Sequence, residues 1–300
     1  MERIKLAENL TFSRISHGMW RLNEWDMTAQ QLLRFVEQAL EMGVTTFDIA
    51  DIYGEYTCEA LFGEIFKLNP SLREQVEIVT KCGIKLKCDK FPTRKIGHYD
   101  TSYDHIIASV EQSLQNMQTD YVDVLLIHRP DPLMNPAETA RAFEELHREG
   151  KVLYFGVSNF NPMQFEMLQK FFGPKLVTNQ VEFSPYCLEH IQNNNVEFFQ
   201  KQGIVPMAWS PLAGGSLFDP RDLRSERLVM MLEDIAAETG AYGIDLVAYS
   251  WILKHPARFV PIVGSGKIER LKRAVDALEV ELTTEQWFRI LVASQGHPVP

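Results

Sequence analysis

Short apolar, β-branched runs alternate with longer stretches of helical periodicity along this chain. Eight such runs end in polar residues or glycine, and each predicts a β-strand. The runs are 14–20, 44–50, 76–82, 122–129, 152–159, 176–183, 204–211 and 259–265. Apolar residues recur at helical spacing in six segments between or after them, and cap residues or glycine mark several ends. These segments are 27–43, 101–117, 135–150, 228–240, 244–255 and 267–278.

Alternating strands and helices are typical of an α/β protein with a parallel sheet. The strand runs lack strict alternation of apolar and polar residues, which indicates burial on both faces. Eight units within 300 residues predict a closed (β/α)8 TIM barrel, formed by residues 1–300 as a single domain. An open doubly wound sheet is the alternative that this pattern leaves.

Composition and charge narrow the class of partner. The chain is 45% hydrophobic and 23% charged, as expected for a globular protein, and its net charge is −10. A net-acidic chain is a poor match to nucleic acid or anionic membranes, so neither is an expected partner. There is no apolar signal-peptide core at the N-terminus and no C-x-x-C among four cysteines. We therefore expect a cytoplasmic protein with no membrane association.

Polar residues close three consecutive predicted strands. Asp48 ends the second strand, Lys81 the third and His128 the fourth, and Tyr53 follows Asp48 in the next loop. In a (β/α)8 barrel the chemistry lies at these carboxyl ends. A nearby lysine ammonium lowers the pKa of a phenol, a carboxylate keeps a buried lysine charged, and a neutral imidazole can orient a carbonyl. Together these groups predict a proton-transfer site.

Each of these residues also has a purely structural interpretation. Asp48 could cap a turn, Tyr53 could pack in a loop, Lys81 could extend to the surface and His128 could be a hydrogen-bonded core residue. Four chemically complementary groups on three consecutive strand ends favour the catalytic interpretation over four separate structural ones.

Several segments resemble the aldo-keto reductase family, in family order over roughly residues 13–275. They are FDIADIYG followed by Glu59, VTK, and the segments 109–131, 150–160, 179–185, 208–215 and 261–271. The resemblance implies a (β/α)8 barrel that binds a nicotinamide cofactor without a Rossmann unit. The chain contains no G-x-G-x-x-G after a strand, in keeping with this.

The resemblance also implies roles for individual residues. Tyr53 is the expected general acid, tuned by Lys81 and Asp48, and His128 is expected to orient the substrate. The expected reaction is NADPH-dependent reduction of an aldehyde or ketone to an alcohol. The expected partner is a small-molecule carbonyl substrate. Four aromatic side chains are expected to line a pocket suited to an apolar or aromatic carbonyl, namely Trp20, Tyr53, Phe160 and Trp209.

The expected cofactor is NADP(H). By resemblance, Ser158, Asn159 and Gln180 hold the nicotinamide carboxamide and Trp209 stacks on the ring, while a glycine-containing loop covers the pyrophosphate. The basic start of the last predicted helix binds the 2′-phosphate. The full set of expected contacts is Ser158, Asn159, Gln180, Trp209, Ser210, Pro211, Leu212, Gly214, Gly215, Ser265, Gly266, Lys267 and Arg270.

Two features leave questions open. Many family members contact adenine through Glu and Asn at positions where this chain has Arg273 and Ala274, so the adenine contacts are undetermined. The segment 83–100 carries Lys85, Lys87, Lys90, Arg94 and Lys95. It could be a lid that favours an anionic substrate or cofactor, or a plain solvated loop.

Two other functions compete with a reductase. The family includes potassium-channel β subunits, so a cofactor-binding regulatory protein with weak turnover is one alternative. A metal-dependent hydrolase on the same barrel is the other, but the eight histidines include no H-x-H or H-x-x-x-H, and no metal is expected. The sequence determines neither the physiological carbonyl substrate nor the oligomeric state. A monomer is consistent with it.

Overall fold

The computed structural model describes residues 1–300, and its strands form one barrel and two hairpins. The strands are β1 (Arg3–Ala7), β2 (Leu10–Ser13), β3 (Ser16–Gly18), β4 (Thr46–Asp48), β5 (Glu77–Cys82), β6 (Ile84–Lys85), β7 (His98–Tyr99), β8 (Val122–Ile127), β9 (Val152–Ser158), β10 (Asn179–Glu182), β11 (Met207–Trp209) and β12 (Val260–Val263). Strands β3, β4, β5 and β8 to β12 close into a parallel barrel in chain order. The predicted (β/α)8 fold is confirmed. The pairs β1–β2 and β6–β7 are antiparallel hairpins.

Eleven α-helices accompany the strands. They are α1 (Ala29–Glu41), α2 (Cys58–Leu68), α3 (Tyr103–Met117), α4 (Pro136–Arg148), α5 (Pro162–Phe171), α6 (Glu189–Gln192), α7 (Asn195–Gln202), α8 (Leu223–Thr239), α9 (Ile244–Lys254), α10 (Ile268–Asp276) and α11 (Thr284–Gln295). Short 3-10 turns occupy Leu22–Glu24, Pro70–Gln75, Ala213–Phe218 and Ala277–Glu279. All six predicted helices are present, with ends that differ by a few residues.

The chain divides into two compact units. The first comprises residues 1–179 with 264–266, and the second comprises residues 180–263 with 267–300. In the first unit, the register pairs Gly18 of β3 with Asp48 of β4, and Lys81 of β5 with Leu126 of β8. Strand β4 pairs in parallel with β5, where Asp48 is opposite Val79, so Asp48 and Lys81 lie close together near the ends of neighbouring strands. In the second unit, aromatic side chains fill the interior, and Phe183 stacks on Phe259 with 3.9 Å between ring centroids.

Local capping explains where several helices of the first unit begin. Thr28 and Gln31 form a capping box at the start of α1, because each side chain bonds the backbone N–H of the other. Asn161 and Gln164 do the same for α5, where proline follows the cap. Such caps stabilise a helix by about 1 kcal/mol each and fix the direction in which the chain leaves the preceding strand.

Gly63 allows α2 to pack closely against the C-terminal end of α3. A Cβ at this position would lie 2.8 Å from Met117 Cα and closer still to the Asn116 carbonyl oxygen. Both neighbours are backbone, which cannot rotate away. We expect Gly63→Ala to reduce the free energy of unfolding by about 2 kcal/mol, measured by urea denaturation. Gly173→Ala is the matched control, because an added Cβ there meets nothing within 4 Å. An equal loss in both variants would contradict this packing argument.

Candidate active site

The ammonium group of Lys81 is the centre of a buried polar cluster in the first unit. Its side chain is fully buried, and Nζ donates to Asp48 Oδ2 (2.8 Å), the Ile49 carbonyl oxygen (2.8 Å) and Tyr53 OH (3.0 Å). Three acceptors match the three N–H donors of an ammonium, so the charge is retained inside the protein. The three groups predicted to act together are therefore in direct contact.

Tyr53 reaches Lys81 from a turn that follows β4. Its backbone N–H donates to the Ala50 carbonyl (3.2 Å), and its own carbonyl accepts from the backbone N–H groups of Thr57 and Cys58. The next three residues, Gly54, Glu55 and Tyr56, all have left-handed backbone conformations, with φ of 56°, 53° and 72°. Such conformations are unfavourable for residues with a Cβ and persist only where surrounding contacts hold them. The turn that presents the phenol is therefore constrained.

His128 completes the cluster from the end of β8. Its ring lies edge-on to the Tyr53 ring, with 5.8 Å between centroids. Its backbone N–H donates to the Cys82 carbonyl (2.9 Å), and its carbonyl oxygen accepts from Asn159 Nδ2 (3.3 Å). The ring atom Nδ1 is buried without a hydrogen-bond partner. All four residues predicted for proton transfer thus lie together. Three are at or near adjoining strand ends, and Tyr53 is in the turn after β4.

Burial and charge set the protonation states. Burial lowers the pKa of His128 well below its usual value, and the positive charges of Lys81 and Arg129 lower it further, so the imidazole is neutral at pH 7. Burial opposes the charged form of Lys81, yet Asp48 and Tyr53 raise the pKa of that ammonium above its ordinary value. Lys81 is therefore a cation beside a neutral imidazole.

The pKa of Tyr53 differs in direction from the sequence-based expectation. Lys81 does lower it, as expected, but burial of the phenol is the larger effect and raises the pKa above its ordinary value. The phenol is therefore fully protonated at neutral pH and can donate its proton. The sequence could place Lys81 near Tyr53, but the depth of burial depends on the packing of the whole turn.

Two further buried acids lie near Lys81. Glu59 of α2 accepts from Thr80 Oγ1 (2.7 Å), and burial raises the pKa of its carboxyl. Asp51, in the Tyr53 turn, has one buried oxygen without a partner, and burial together with the charge of Glu59 raises its pKa well above the usual value. Neither Glu59 nor Asp51 was predicted as a functional residue. The sequence feature that could have identified them is an acidic residue within an otherwise apolar segment.

The first unit contains four of the expected cofactor residues. Asn159 has a left-handed backbone (φ 61°), and its Nδ2 donates to Ser158 Oγ (2.8 Å) as well as to the His128 carbonyl. Ser158 and Ser265 are buried. Gly266 lies against Trp25, since a Cβ there would come within 2.6 Å of the indole. Ser158 and Asn159 thus lie next to the buried polar cluster, which Asn159 contacts through the His128 carbonyl.

The second unit contains the other nine expected cofactor residues. Gln180 is buried on β10, and Trp209 ends β11 and is partly exposed. After Ser210, Pro211 and Leu212, the chain turns through Gly214 and Gly215, whose φ values are 64° and 100°, and open space surrounds both glycines. Lys267 and Arg270 are exposed at the start of α10. Such residues fit a phosphorylated cofactor, since basic side chains at a helix N-terminus favour anions.

Arg273, where adenine contacts were left undetermined, has a structural role. Its Nε donates to Asp245 Oδ2 (2.6 Å), its Nη2 is paired with the other carboxylate oxygen, and its guanidinium lies 4.6 Å from the Tyr242 ring centroid. Ala274 is fully buried. The Asp245 pair ties α10 to the start of α9, so Arg273 is a bracing residue within the second unit.

The two residues expected to contact substrate have different environments. Trp20, just after β3, is 58% exposed, and the Arg21 guanidinium lies 5.0 Å from its ring centroid. Phe160 is 1% exposed, and its backbone N–H and carbonyl both bond the Asn179 side chain. Trp20 therefore offers an aromatic surface to a ligand, whereas Phe160 offers none in this conformation.

None of the chain's helices has both the length and the apolar character needed to span a membrane. No group of three or more His, Cys, Asp or Glu side chains is arranged as a metal-ion site.

The known proteins that this chain resembles point to one family. The Aldo/keto reductase family profile matches residues 14–293. The chain is 52% identical to the uncharacterized oxidoreductase YcsN of Bacillus subtilis and 43% identical to a 6-dehydroglucose reductase of Agrobacterium fabrum, each over the full length of both proteins. A crystal structure of a thermostable aldo-keto reductase with the inhibitor epalrestat superposes with a TM-score of 0.81 at 28% identity, covering 98% of this chain and 100% of that one.

The chain therefore belongs to the aldo-keto reductase family. It is an oxidoreductase of that family with a (β/α)8 barrel, and the family generally uses nicotinamide cofactors.

Proposed function

We propose that this protein reduces aldehydes or ketones to alcohols with NADPH, and that Tyr53 is the general acid. The observation that carries the proposal is the contact of Lys81 Nζ with both Tyr53 OH and Asp48 Oδ2, at 3.0 and 2.8 Å. An ammonium held against a phenol in a buried site stabilises the phenolate that remains after proton donation. Carbonyl reduction requires such a proton donor for the carbonyl oxygen.

Each side chain of the cluster has a separate role in the proposed reaction. When bound, the reduced nicotinamide supplies the hydride that adds to the carbonyl carbon. Tyr53 OH donates its proton to the carbonyl oxygen as negative charge develops there, and Lys81 stabilises the resulting phenolate. Asp48 keeps Lys81 charged throughout. The neutral His128 imidazole is positioned beside the phenol to hydrogen-bond the carbonyl oxygen and orient it.

Residues of each unit are proposed to bind parts of the cofactor. Ser158 and Asn159 provide hydroxyl and amide groups for the nicotinamide carboxamide, and Gln180 provides a second amide. Trp209 provides an aromatic face for the nicotinamide ring. Ser210, Pro211, Leu212, Gly214 and Gly215 form a turn whose open glycines permit close approach of a pyrophosphate. Ser265, Gly266, Lys267 and Arg270 are proposed to bind the 2′-phosphate.

Removing the two exposed bases at the start of α10 tests the phosphate assignment. We expect Lys267→Ala with Arg270→Ala to weaken NADPH binding about 100-fold, because two charge-assisted contacts to the 2′-phosphate are lost. NADH affinity, measured in parallel by cofactor fluorescence, should change less than threefold. The control pair Arg148→Ala with Lys201→Ala removes two exposed charges elsewhere. Equal losses of affinity for NADPH and NADH would contradict the assignment of Lys267 and Arg270 to the 2′-phosphate.

A hydroxylated aldehyde is the substrate class that we propose to test first. The relative from Agrobacterium fabrum is named as a reductase of 6-dehydroglucose, and full-length identity to it is 43%. The exposed indole of Trp20 supplies a flat face of the kind that packs against sugar-like carbon chains. The test is NADPH consumption, followed by absorbance, with hydroxylated, aliphatic and aromatic aldehydes. Turnover of hydroxylated aldehydes with the highest kcat/KM supports the proposal, and no turnover of any aldehyde overturns it.

A further inference from the structure

The segment between Lys81 and α3 folds into a hairpin at the catalytic end of the barrel. Strands β6 and β7 pair Ile84 with Tyr99 and Lys85 with His98, directly after β5. An ion pair between Lys85 Nζ and Asp100 Oδ2 (2.9 Å) and a hydrogen bond from the Asp100 N–H to the Gly83 carbonyl (3.0 Å) close its base. We call residues 84–99 the flap. It begins three residues after Lys81, so it stands beside the reacting groups.

Tyr56 attaches the flap to the turn that carries Tyr53. Its hydroxyl oxygen accepts from the Leu86 backbone N–H (2.9 Å) and from Arg94 Nη1 (2.9 Å), and Arg94 Nη1 also reaches the Leu86 carbonyl (2.9 Å). The Phe91 ring lies edge-on to Tyr56 at 5.0 Å, and the Arg94 guanidinium lies 3.7 Å from the Phe91 centroid. The tip of the flap is therefore packed on Tyr56 and is not a freely solvated loop.

This attachment accounts for the strained backbone next to Tyr53. Glu55 and Tyr56 both have positive φ, which costs each residue about 1 kcal/mol unless neighbouring contacts hold the conformation. The Tyr56 hydroxyl, fixed by two hydrogen bonds from the flap, supplies such contacts. The flap and the Tyr53 turn thus form one packed element, and whatever binds along the flap lies near the carbonyl that Tyr53 protonates.

The flap is strongly basic within an acidic protein. Residues 84–99 contain five Lys or Arg and one Asp, whereas the whole chain has a net charge of −10. Arg94 packs on Phe91, and Lys85 is paired with Asp100. The remaining flap lysines are exposed and form no ion pair; they are Lys87, Lys90 and Lys95. Of these, Lys90 Nζ lies 5.4 Å from the Tyr56 ring centroid, so its charge is held at the junction of the flap and the Tyr53 turn. An excess of unpaired positive charge beside an active site attracts anions.

We propose that the flap recognises the acidic end of the substrate. Lys87, Lys90 and Lys95 bind a phosphate, carboxylate or sulfonate group of an anionic hydroxyaldehyde whose carbonyl lies against Tyr53 OH. This inference rests on the proposed reductase function and specifies its substrate class. The flap is joined to the turn of the proton donor, so its charge acts at the end of the site where the carbonyl reacts. The anion is therefore assigned to the substrate and not to the cofactor.

Two aldehydes that differ only in a phosphate provide the kinetic test. They are D-glyceraldehyde and D-glyceraldehyde 3-phosphate, compared in Lys87→Gln/Lys90→Gln/Lys95→Gln and in the unmodified protein with saturating NADPH. We expect the triple variant to raise KM for the phosphorylated aldehyde about tenfold with kcat unchanged, and to leave D-glyceraldehyde unaffected. Added 0.5 M NaCl should remove most of the difference, because exposed charges are screened. Lys170→Gln/Lys201→Gln/Lys254→Gln has the same change in net charge at exposed positions on other helices and is the control.

Binding measurements separate failure of this inference from failure of the proposed function. The probes are glycerol 3-phosphate and glycerol, the reduced forms of the two aldehydes, titrated calorimetrically into protein saturated with NADP. Tighter binding of glycerol 3-phosphate that is lost only in the flap variant supports the inference, even if neither aldehyde is turned over. Equal affinities in the flap variant, the control and the unmodified protein overturn it. Weaker NADPH binding in the flap variant, with unchanged affinity for glycerol 3-phosphate, also overturns it and assigns the lysines to the cofactor.

Discussion

Replacing Tyr53 with phenylalanine is expected to lower kcat for aldehyde reduction by about 10³-fold while NADPH still binds. The substitution removes only the hydroxyl that Lys81 Nζ contacts at 3.0 Å. The ring remains, so its edge-on packing with His128 is retained. Without the phenol, the cluster loses the group proposed to protonate the carbonyl oxygen. His128 is neutral, and Asp48 holds the ammonium of Lys81 in its charged form.

The measurement is kcat with the best aldehyde substrate, together with NADPH affinity from fluorescence. Tyr103→Phe is the control, since Tyr103 OH bonds Glu145 away from the cluster. In the unmodified protein, reduction should persist across neutral pH and fall only at alkaline pH, because burial raises the pKa of the Tyr53 phenol. Retention of a tenth or more of the activity in Tyr53→Phe would contradict the role of Tyr53 as general acid.

His17→Leu is expected to make the protein markedly more resistant to acid. His17 lies on β3 with 0% exposure, and neither ring nitrogen has a hydrogen-bond partner. Aromatic rings surround it, with centroid distances of 4.9 Å to Phe35 and 5.7 Å to Trp25. Burial lowers the pKa of His17 from 6.5 to about 3. Leucine has a similar volume and no polar atoms to leave unpaired.

The direction of the pH effect follows from the lowered pKa. Below about pH 6.5 the unfolded chain binds a proton at His17 that the folded protein does not bind until about pH 3, so stability falls as the pH drops through this window. At pH 4 this lowers the free energy of unfolding by about 3 kcal/mol. His17→Leu removes the part of this acid-induced loss of stability that comes from His17.

Urea denaturation at pH 7 and pH 4 measures the effect. The stability difference between His17→Leu and the unmodified protein should widen by about 3 kcal/mol on going to pH 4. Other buried histidines titrate in both proteins, so the comparison isolates His17. His297→Leu, at an exposed position, is the control. An unchanged difference between the two pH values would show that His17 is not a buried neutral group.

Several features of the fold could not be predicted from local pattern. Helix α2 contains Gly63 in its middle, which weakens the helical signal, yet the close approach to α3 needs that glycine. Helices α5 and α7 are short, and their apolar faces are narrow. The hairpin β6–β7 has only two residues in each strand, so its sequence gives no strand period. In each case tertiary contacts stabilise an element that is marginal by itself.

The sequence by itself determined the order of eight strands and the positions of Asp48, Lys81 and His128 at their ends. Apolar runs fix strand order, and a charged residue that closes such a run is costly to bury unless it has a partner. Only the tertiary structure decided which acceptors surround Lys81, that burial outweighs Lys81 in setting the pKa of Tyr53, and that Tyr56 holds a basic flap against the same turn. Burial and hydrogen-bond partners depend on residues distant in the sequence, which local patterns do not contain.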